Sequence, residues 1–529
     1  MAFALLFSAN ISADENDDAD DEKAAEESGE TGQSEESEGS GEKSGESFDT
    51  LQEVVVTEAP SASKDDTADK VAVPGERLRE SPRTSVLEAV SQEAADVYVT
   101  GRGVGFHGVS SGASGAVSVR GLGGSPNTQV LIVEDGVPDI QGIFGHPIPD
   151  SYVPFLIEDA LVIRGGDSVL YGTNALGGVI ALRSRWRRCE GYEVVNDAAF
   201  GSYNTLREQV GYLGRSGAWD SSAAFTYQSS DGHRPGAGGD NAIGQAAVRR
   251  RLSDGVSLTV RNKLLHLKGE DPGPVSHPNT DHWYNVRRDN ASMEFLFDRP
   301  VFTFRAIPYY NIGRHTLYDG FRSVDTTLGG KTEAEIALPA SFDLLLGLAA
   351  EAVDGDVRNR IDQEDEYVKG NQSYSAYGQL SWRPYERLLF TGGVRDLYSS
   401  EYDEIFLYKA GARWNFWRPM TFRMRAAKNF RQPTLRELYL PFPTANPDLE
   451  PETSLNADAG LELDTKHVKA RVSGYRTHAR NLIKYFGVWP SAEVVNIDHL
   501  TTYGVEEKIS FGLQYEIKNN QAAICFGSG

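Results

Sequence analysis

The stretch VSVRGLGGSPNTQVLIVEDGVPDIQGIFGHPIPDSYVPFLIEDALVIRGGDSVLYGTNALGGVIALRS, running from Val117 to Ser184, decides the fold. Three apolar runs stand out in it: Val117 to Val119, Val130 to Val133 and Leu161 to Ile163. Each consists of β-prone residues closed by Gly or Asp-Gly, the pattern of short buried strands joined by turns. Between them stand Arg120-Gly121, Glu134-Asp135-Gly136-Val137-Pro138, Arg164-Gly165-Gly166 and Leu170-Tyr171-Gly172, and the stretch closes on Asn174 to Ile180. Glycines at such turn ends adopt positive φ and let neighbouring elements approach closely.

Outward from this stretch, 529 residues are enough for two or more domains. Hydrophobic residues make up 40%, yet no run of about 18 apolar residues occurs, so a transmembrane helix is excluded. A soluble protein or a β-barrel remains, since barrel strands give a weaker signal than helices. Residues 1–13 carry an apolar run from Ala2 to Phe7 and small residues at Ser12-Ala13, and read as a partial signal peptide without its basic n-region. Residues 14–48 read as an acidic disordered linker: between Asp14 and Ser47 there are fifteen acidic residues, two lysines and no aromatic residue. That tract accounts for −13 of the formal net charge of −24, and the remainder is still acidic, so nucleic acid is not expected as a partner. Residues 49–58 hold a β-branched run between polar flanks, suited to adding as a strand to another protein's sheet edge. With only Cys189 and Cys525, a disulfide framework or a four-cysteine metal site is ruled out by count.

Thr84 or Ser85 followed by Glu88 predicts a capping box, and Val86, Leu87, Val90 and Ala94 an apolar helical face. Asp96 to Thr100 reads as a strand, and Gly101 to Gly115 as a mobile glycine loop of the kind that contacts ligands. Gly103 to Gly108 matches G-x-G-x-x-G, but the helix precedes the glycines instead of following them. Gly108 to Gly112 matches G-x-S-x-G, but without a strand-to-helix turn. Neither carries a catalytic reading. From Tyr192 onward the chain breaks into segments with two-residue alternation, among them Phe342 to Ala352, Tyr374 to Trp382, Leu388 to Tyr398 and Leu407 to Phe416. Short connections, such as Arg299-Pro300, Pro339-Ala340-Ser341 and Arg418-Pro419, alternate with long ones near Gly232, Pro272 and Asp362. This is the pattern of an outer-membrane barrel, where closure leaves no unpaired backbone in lipid. Tyr309, Tyr310, Trp382, Tyr385, Trp414 and Trp417 are expected as interface girdles near strand ends. Fourteen segments read clearly as strands, and eighteen if the ambiguous ones are included. The run Arg183, Arg185, Arg187 and Arg188 is expected to be a solvated junction.

Taken in order, the motifs from Arg120 to Ile180 resemble the plug domain of TonB-dependent outer-membrane receptors, although Gly166 and Leu161 stand where a proline and a glutamate are more usual. Glu53-Val54-Val55-Val56-Thr57 resembles that family's TonB box. Phe430 to Tyr439, followed by Asn446 to Glu452, is similar to paired boxes in the barrel of its small members. No histidine lies between these boxes, which lowers the expectation of haem as cargo. The resemblance implies a mainly β fold: an N-terminal α+β plug domain at 70–186 inside a transmembrane antiparallel β-barrel at 190–529. That barrel is expected to be incomplete relative to a 22-stranded one, the chain reading as C-terminally truncated.

What the resemblance implies about function is active import of a scarce nutrient such as a ferric siderophore, cobalamin or other metal chelate, with no catalytic residues. A non-transporting binding or adhesion protein, or a nonfunctional receptor fragment, is the rival. Expected partners are the TonB energy-transducing protein at Glu53 to Thr57, outer-membrane lipid and a small metal chelate or vitamin, with the chain a monomer in the outer membrane of a Gram-negative bacterium. The plug's core motif falls on Arg120, Gly121, Asp135, Gly136, Arg164, Gly165, Tyr171 and Gly172. Ligand contacts are expected in the plug's apical loops, at Arg102, Phe106, His107 and Ser110 and at Ile140, Phe144 and His146. No resident cofactor is expected. His107, His146, His233, His266, His277, His282 and His315 are read into apical or outward loops, and since imidazole is a common transition-metal ligand they fit a metal or metal-chelate cargo, with polar loop residues scattered by chance as the plainer reading. The acidic residues Asp354, Asp356, Asp362, Glu364, Asp365 and Glu366 offer oxygen ligands for Ca²⁺, with a merely solvated loop as the plainer reading.

Overall fold

The computed structural model describes residues 67–511, apart from 82, 84, 102–114, 125–127, 280, 360–364, 441–444 and 488–492. The expected signal peptide, acidic linker and Glu53 to Thr57 segment lie outside the described residues, as do Arg102, Phe106, His107, Ser110 and Cys525.

The N-terminal body contains strands β1 (Lys70–Pro74), β2 (Val97–Val99), β3 (Val117–Val119), β4 (Leu122–Gly124), β5 (Val130–Glu134), β6 (Val137–Pro138), β7 (Ile157–Arg164) and β8 (Gly178–Ser184). Its helices are α1 (Gly75–Glu80), α2 (Val86–Glu93) and α3 (Ser168–Tyr171). The main sheet has the order β1-β7-β8-β5-β6, with only β5 and β8 parallel, and a smaller sheet is ordered β2-β3-β4. The continuous apolar run Val130 to Val133 follows from burial on both faces. Val130 and Ile132 pack with Leu87, Val90, Val117 and Val162 inside the body. Leu131 and Val133 face the other way and meet Leu345, Tyr377, Leu407 and Phe430 of the surrounding wall. The predicted Ser85 capping box does not form: Ser85 sits at the N-cap of α2, but its hydroxyl donates to Pro149 O at 3.4 Å.

The wall follows as β9 (Gly191–Gly201), β10 (Thr205–Ser216), β11 (Trp219–Ser230), β12 (Gly239–Ser253), β13 (Val256–Glu270), β14 (Trp283–Arg299), β15 (Phe302–Leu317) and β16 (Phe321–Leu338). It continues as β17 (Phe342–Asn359), β18 (Asp365–Tyr385), β19 (Leu388–Ser399), β20 (Ile405–Trp417), β21 (Met420–Arg431), a short helix α4 (Leu435–Tyr439), β22 (Glu452–Asp464), β23 (Val468–Phe486) and β24 (Glu493–Phe511). All sixteen strands form one sheet in sequence order, and each pairs antiparallel with its neighbour. Among the described residues, β9 and β24 are the two edges and do not pair with each other. Cys189, just ahead of β9, is disulfide-bonded.

Alternation in the wall runs opposite to that of a soluble sheet. On β19, Phe390, Val394 and Tyr398 are exposed, while Thr391, Arg395 and Ser399 are buried. An apolar outer face with polar groups turned inward is what lipid outside and a polar lumen inside require. Short turns close one end, such as Ala340 and Ser341, both at positive φ between β16 and β17. The long connections, including the one between β13 and β14, are at the other end.

Several expectations need correction. Tyr309 lies mid-strand on β15 and turns inward, its hydroxyl donating to Glu351 at 2.7 Å, and Tyr310 is also mid-strand, so neither belongs to a girdle at a strand end. Trp382, Tyr385, Trp414 and Trp417 do sit exposed near the short turns. His266 and His315 lie in strands β13 and β15, not loops, and His315 faces inward and is buried. Arg183 is not solvated, since it pairs with Asp159. Asp354 and Asp356 belong to β17, while 362 and 364 fall outside the described residues.

Candidate functional site

The functional geometry is the seat of the plug in the wall. Asp69, immediately before β1, is fully buried and surrounded by four arginines. Two come from the plug, Arg120 at 2.6 Å and Arg164 at 3.3 Å. Two come from the wall, Arg423 of β21 at 2.6 Å and Arg471 of β23 at 3.1 Å. Arg120 also forms a bidentate pair with Glu506 of β24, at 2.8 and 2.7 Å. Arg164 pairs with Asp96 and Arg423 with Asp458, so the buried charges are compensated. Burial alone would push the Asp69 carboxyl up. The pull of Arg423, Arg471, Arg164 and Arg120 outweighs it and holds that carboxyl well below the usual carboxylate range.

Two further contacts fix the plug laterally. In the Glu134-Asp135-Gly136 turn, Asp135 adopts positive φ, accepts from Ser184 N at 2.9 Å and pairs with Arg261 of β13 at 3.0 Å. Next to it, Glu134 accepts from Lys263 Nζ at 2.7 Å. At the other motif, Asp167 caps α3 and pairs with Lys409 at 2.8 Å and Arg425 at 2.9 Å. The helix ends at Gly172, whose φ of 83° brings the backbone against Arg395; a Cβ there would lie 3.2 Å from that guanidinium. Gly165, at φ 72°, puts its carbonyl where Asn429 Nδ2 donates at 3.0 Å. Gly121 and Gly136 are also at positive φ.

Residues 140–146 are docked against the wall. Ile140 O accepts from Arg288 and Asn311, both at 2.8 Å. Phe144 stacks on His315 with ring centroids 5.0 Å apart. His146 Nδ1 donates to Pro147 O at 2.9 Å, and burial together with Arg436 and Arg288 outweighs that bond and lowers its pKa to about 4, so the ring is neutral at physiological pH. Beyond this loop, Thr434 and Glu437 form a full capping box on α4, and Arg431 lies buried between Glu437 and Glu452.

Between plug and wall, small cavities remain on the side of β12 to β19. One of about 70 Å³ is lined by Tyr171, Tyr309, Lys331, Glu351, Tyr377 and Arg395. A neighbour of about 60 Å³ lies beside Glu134, Arg261 and Lys263. Such volumes admit a water or two, far less than the roughly 300–1,000 Å³ of a small-molecule site. Among the described residues, these cavities between plug and wall are too small to hold a chelate while the plug is seated. Sequence reasoning missed Asp69, Lys331, Glu351 and Arg395. Their one signal was charge at the inward parity of a strand, or a lone acid ahead of one.

Comparison with known proteins agrees with this architecture. The family described as TonB dependent receptor-like, beta-barrel matches residues 167–520, and the TonB-dependent Receptor Plug Domain matches 63–179. The chain is 23% identical over 492 residues to the vitamin B12 transporter BtuB of Vibrio vulnificus, covering 84% of this chain and 76% of that one. It is also 23% identical to the vitamin B12 transporter BtuB of Photobacterium profundum, over 76% of this chain and 68% of that one. In fold it is similar to the copper transporter OprC, with TM-score 0.72 and 17% identity over 86% of this chain and 79% of that one. A second similar fold is the ferric yersiniabactin uptake receptor FyuA of Yersinia pestis, with TM-score 0.66 and 15% identity over 84% and 76%. A plug locked by buried charge inside an outer-membrane wall, matched by both family descriptions, places this chain in the TonB-dependent receptor family, in the outer membrane of a Gram-negative bacterium, as a nutrient-import receptor.

Proposed function

We propose that the chain imports a scarce small nutrient, a ferric siderophore, cobalamin or another metal chelate, and that import is driven by the TonB energy-transducing protein. The observation that carries this reading is the seated plug, beside which the cavities lined by described residues are water-sized: cargo would cross only if the plug moves. Force applied to the Glu53 to Thr57 segment would reach Asp69 and edge strand β1 first, because they are the plug's first described elements. Ligand binding at the apical loops, Ile140, Phe144 and His146 among them, would bias that segment toward its periplasmic partner. The cargo class draws support from the transporters and receptors to which the chain is similar.

The test is uptake of cyanocobalamin, a panel of ferric siderophores and copper chelates by receptor-deficient Gram-negative cells expressing the chain. Accumulation of one cargo that disappears when Glu53 to Thr57 is deleted supports the reading. Binding at the cell surface with no accumulation, or accumulation that ignores the deletion, contradicts it.

A further inference from the structure

The outer face of β13 to β15 carries a feature that the transport reading does not use. In the strand register, Leu264 lies opposite Gly244 and Asp289, and Asp289 opposite Ile312. One outward step nearer the long connections, His266 lies opposite Arg287, and Arg287 directly opposite Arg314. Both arginines are exposed, and among the described residues neither makes an ion pair or hydrogen bond. Like charges placed directly across a strand pair repel, and the arrangement is unfavourable unless an anion sits between them.

A hollow of about 680 Å³ covers this patch, lined by Phe225, Leu264 and Ile312 on the midplane side and His266, Arg287 and Arg314 on the other. Asp289 also lines it, but its carboxylate is engaged, accepting from Asn262 Nδ2 at 2.7 Å and from Tyr310 OH at 3.5 Å. Arg287 is twelve residues along β14 from Arg299, at the short-turn end. With a rise of about 3.4 Å per residue and a tilt of about 40°, that is roughly 30 Å of height, just beyond a lipid-facing band about 25 Å tall. The apolar band thus gives way at this height to the basic pair, with the exposed Trp283 beyond it toward the long connection, which places the pair at the headgroup level of the outer leaflet.

We propose that Arg287 and Arg314 together hold a phosphate of an outer-leaflet lipid, with His266 beside it and the acyl chains over Phe225, Leu264 and Ile312. Guanidinium groups suit the task because their forked donors match phosphate oxygens and remain charged at any physiological pH. The proposal rests on the outer-membrane placement and is independent of the cargo.

Native mass spectrometry of the full chain in detergent tests it, with bis-phosphorylated lipid A, dephosphorylated lipid A and inorganic phosphate as separate probes. Phosphorylated lipid A should bind, each of Arg287→Gln and Arg314→Gln should weaken binding about tenfold, and the double variant should weaken it further. Dephosphorylated lipid binding as tightly as the phosphorylated form overturns the proposal, as does an unaffected double variant. Inorganic phosphate binding as tightly as the phosphorylated lipid would mark a free-anion site and overturns it too. Heat-modifiable migration on gels reports folding of each variant. If the variants do not fold, the two lipids compared on the unaltered chain decide alone.

Discussion

Asp69→Asn removes the charge at the centre of the plug's seat while keeping its shape. Taking one partner from a buried ion pair costs about 3–5 kcal/mol, because the remaining charge is left uncompensated. Here the four arginines keep Glu506, Asp96, Asp458 and Glu462, so the lower figure of about 3 kcal/mol applies. The loss should appear as local opening of β1, the edge strand that begins beside Asp69 and, among the described residues, pairs only with β7. At 1.36 kcal/mol per factor of ten, hydrogen exchange at the β1 amides should accelerate about a hundredfold. Exchange in β14 to β18, on the far side of the plug, should not change. The pH dependence has a fixed sign. A carboxyl held below its unfolded value of 3.8 contributes stability that is present above that pH and is lost as pH falls below it. The difference between the unaltered chain and the Asp69→Asn variant should therefore be full at neutral pH and shrink below about pH 4. Unchanged β1 exchange, or equal acceleration in β14 to β18, would refute the assignment of Asp69 as the plug's anchor.

Gly172→Ala forces a side chain into φ 83° and toward Arg395, and should lower thermal stability by about 1–2 kcal/mol; an unchanged unfolding midpoint contradicts the docking described at this turn. His146, neutral in the fold down to about pH 4 but ordinarily titrating near 6.5, makes the unfolded chain the stronger proton binder between those values. Stability should accordingly fall on acidification through that window, by about 2 kcal/mol given the ring's partial exposure, and His146→Gln should flatten the slope in chemical denaturation; an identical slope argues against a ring held neutral by the fold.

Much of this architecture is legible in the sequence because it rests on local patterns. The run Val130 to Val133, with Glu134-Asp135-Gly136 after it, already specifies a strand buried on both faces and a tight turn. The alternation from Leu388 to Tyr398 gives a strand with one lipid face. What sequence does not reveal is pairing over hundreds of residues: Asp69 sits in an unremarked Thr-Ala-Asp-Lys segment, and its partners Arg423 and Arg471 lie more than 350 positions away. Tyr309 shows a second limit. Aromatic content suggested a membrane girdle, but residue parity along β15 turns Tyr309 inward to Glu351, and parity is fixed only by register. The same parity places Glu351 and Arg395 in the lumen and Arg287 and Arg314 on the lipid face, distinctions that composition alone cannot make.

If the seated plug blocks passage, it must leave its place for cargo to cross. Gly165→Cys with Asn456→Cys tests it most directly, since the Cβ positions of these residues lie 3.7 Å apart across the plug–wall boundary, within reach of a disulfide. Uptake of whichever cargo the unaltered chain accumulates should stop in oxidised cells carrying the pair, with surface binding retained, and return on reduction, while reductant leaves uptake by the unaltered chain unchanged. Uptake that continues at the unaltered rate with the cross-link formed would mean that the plug need not leave its seat.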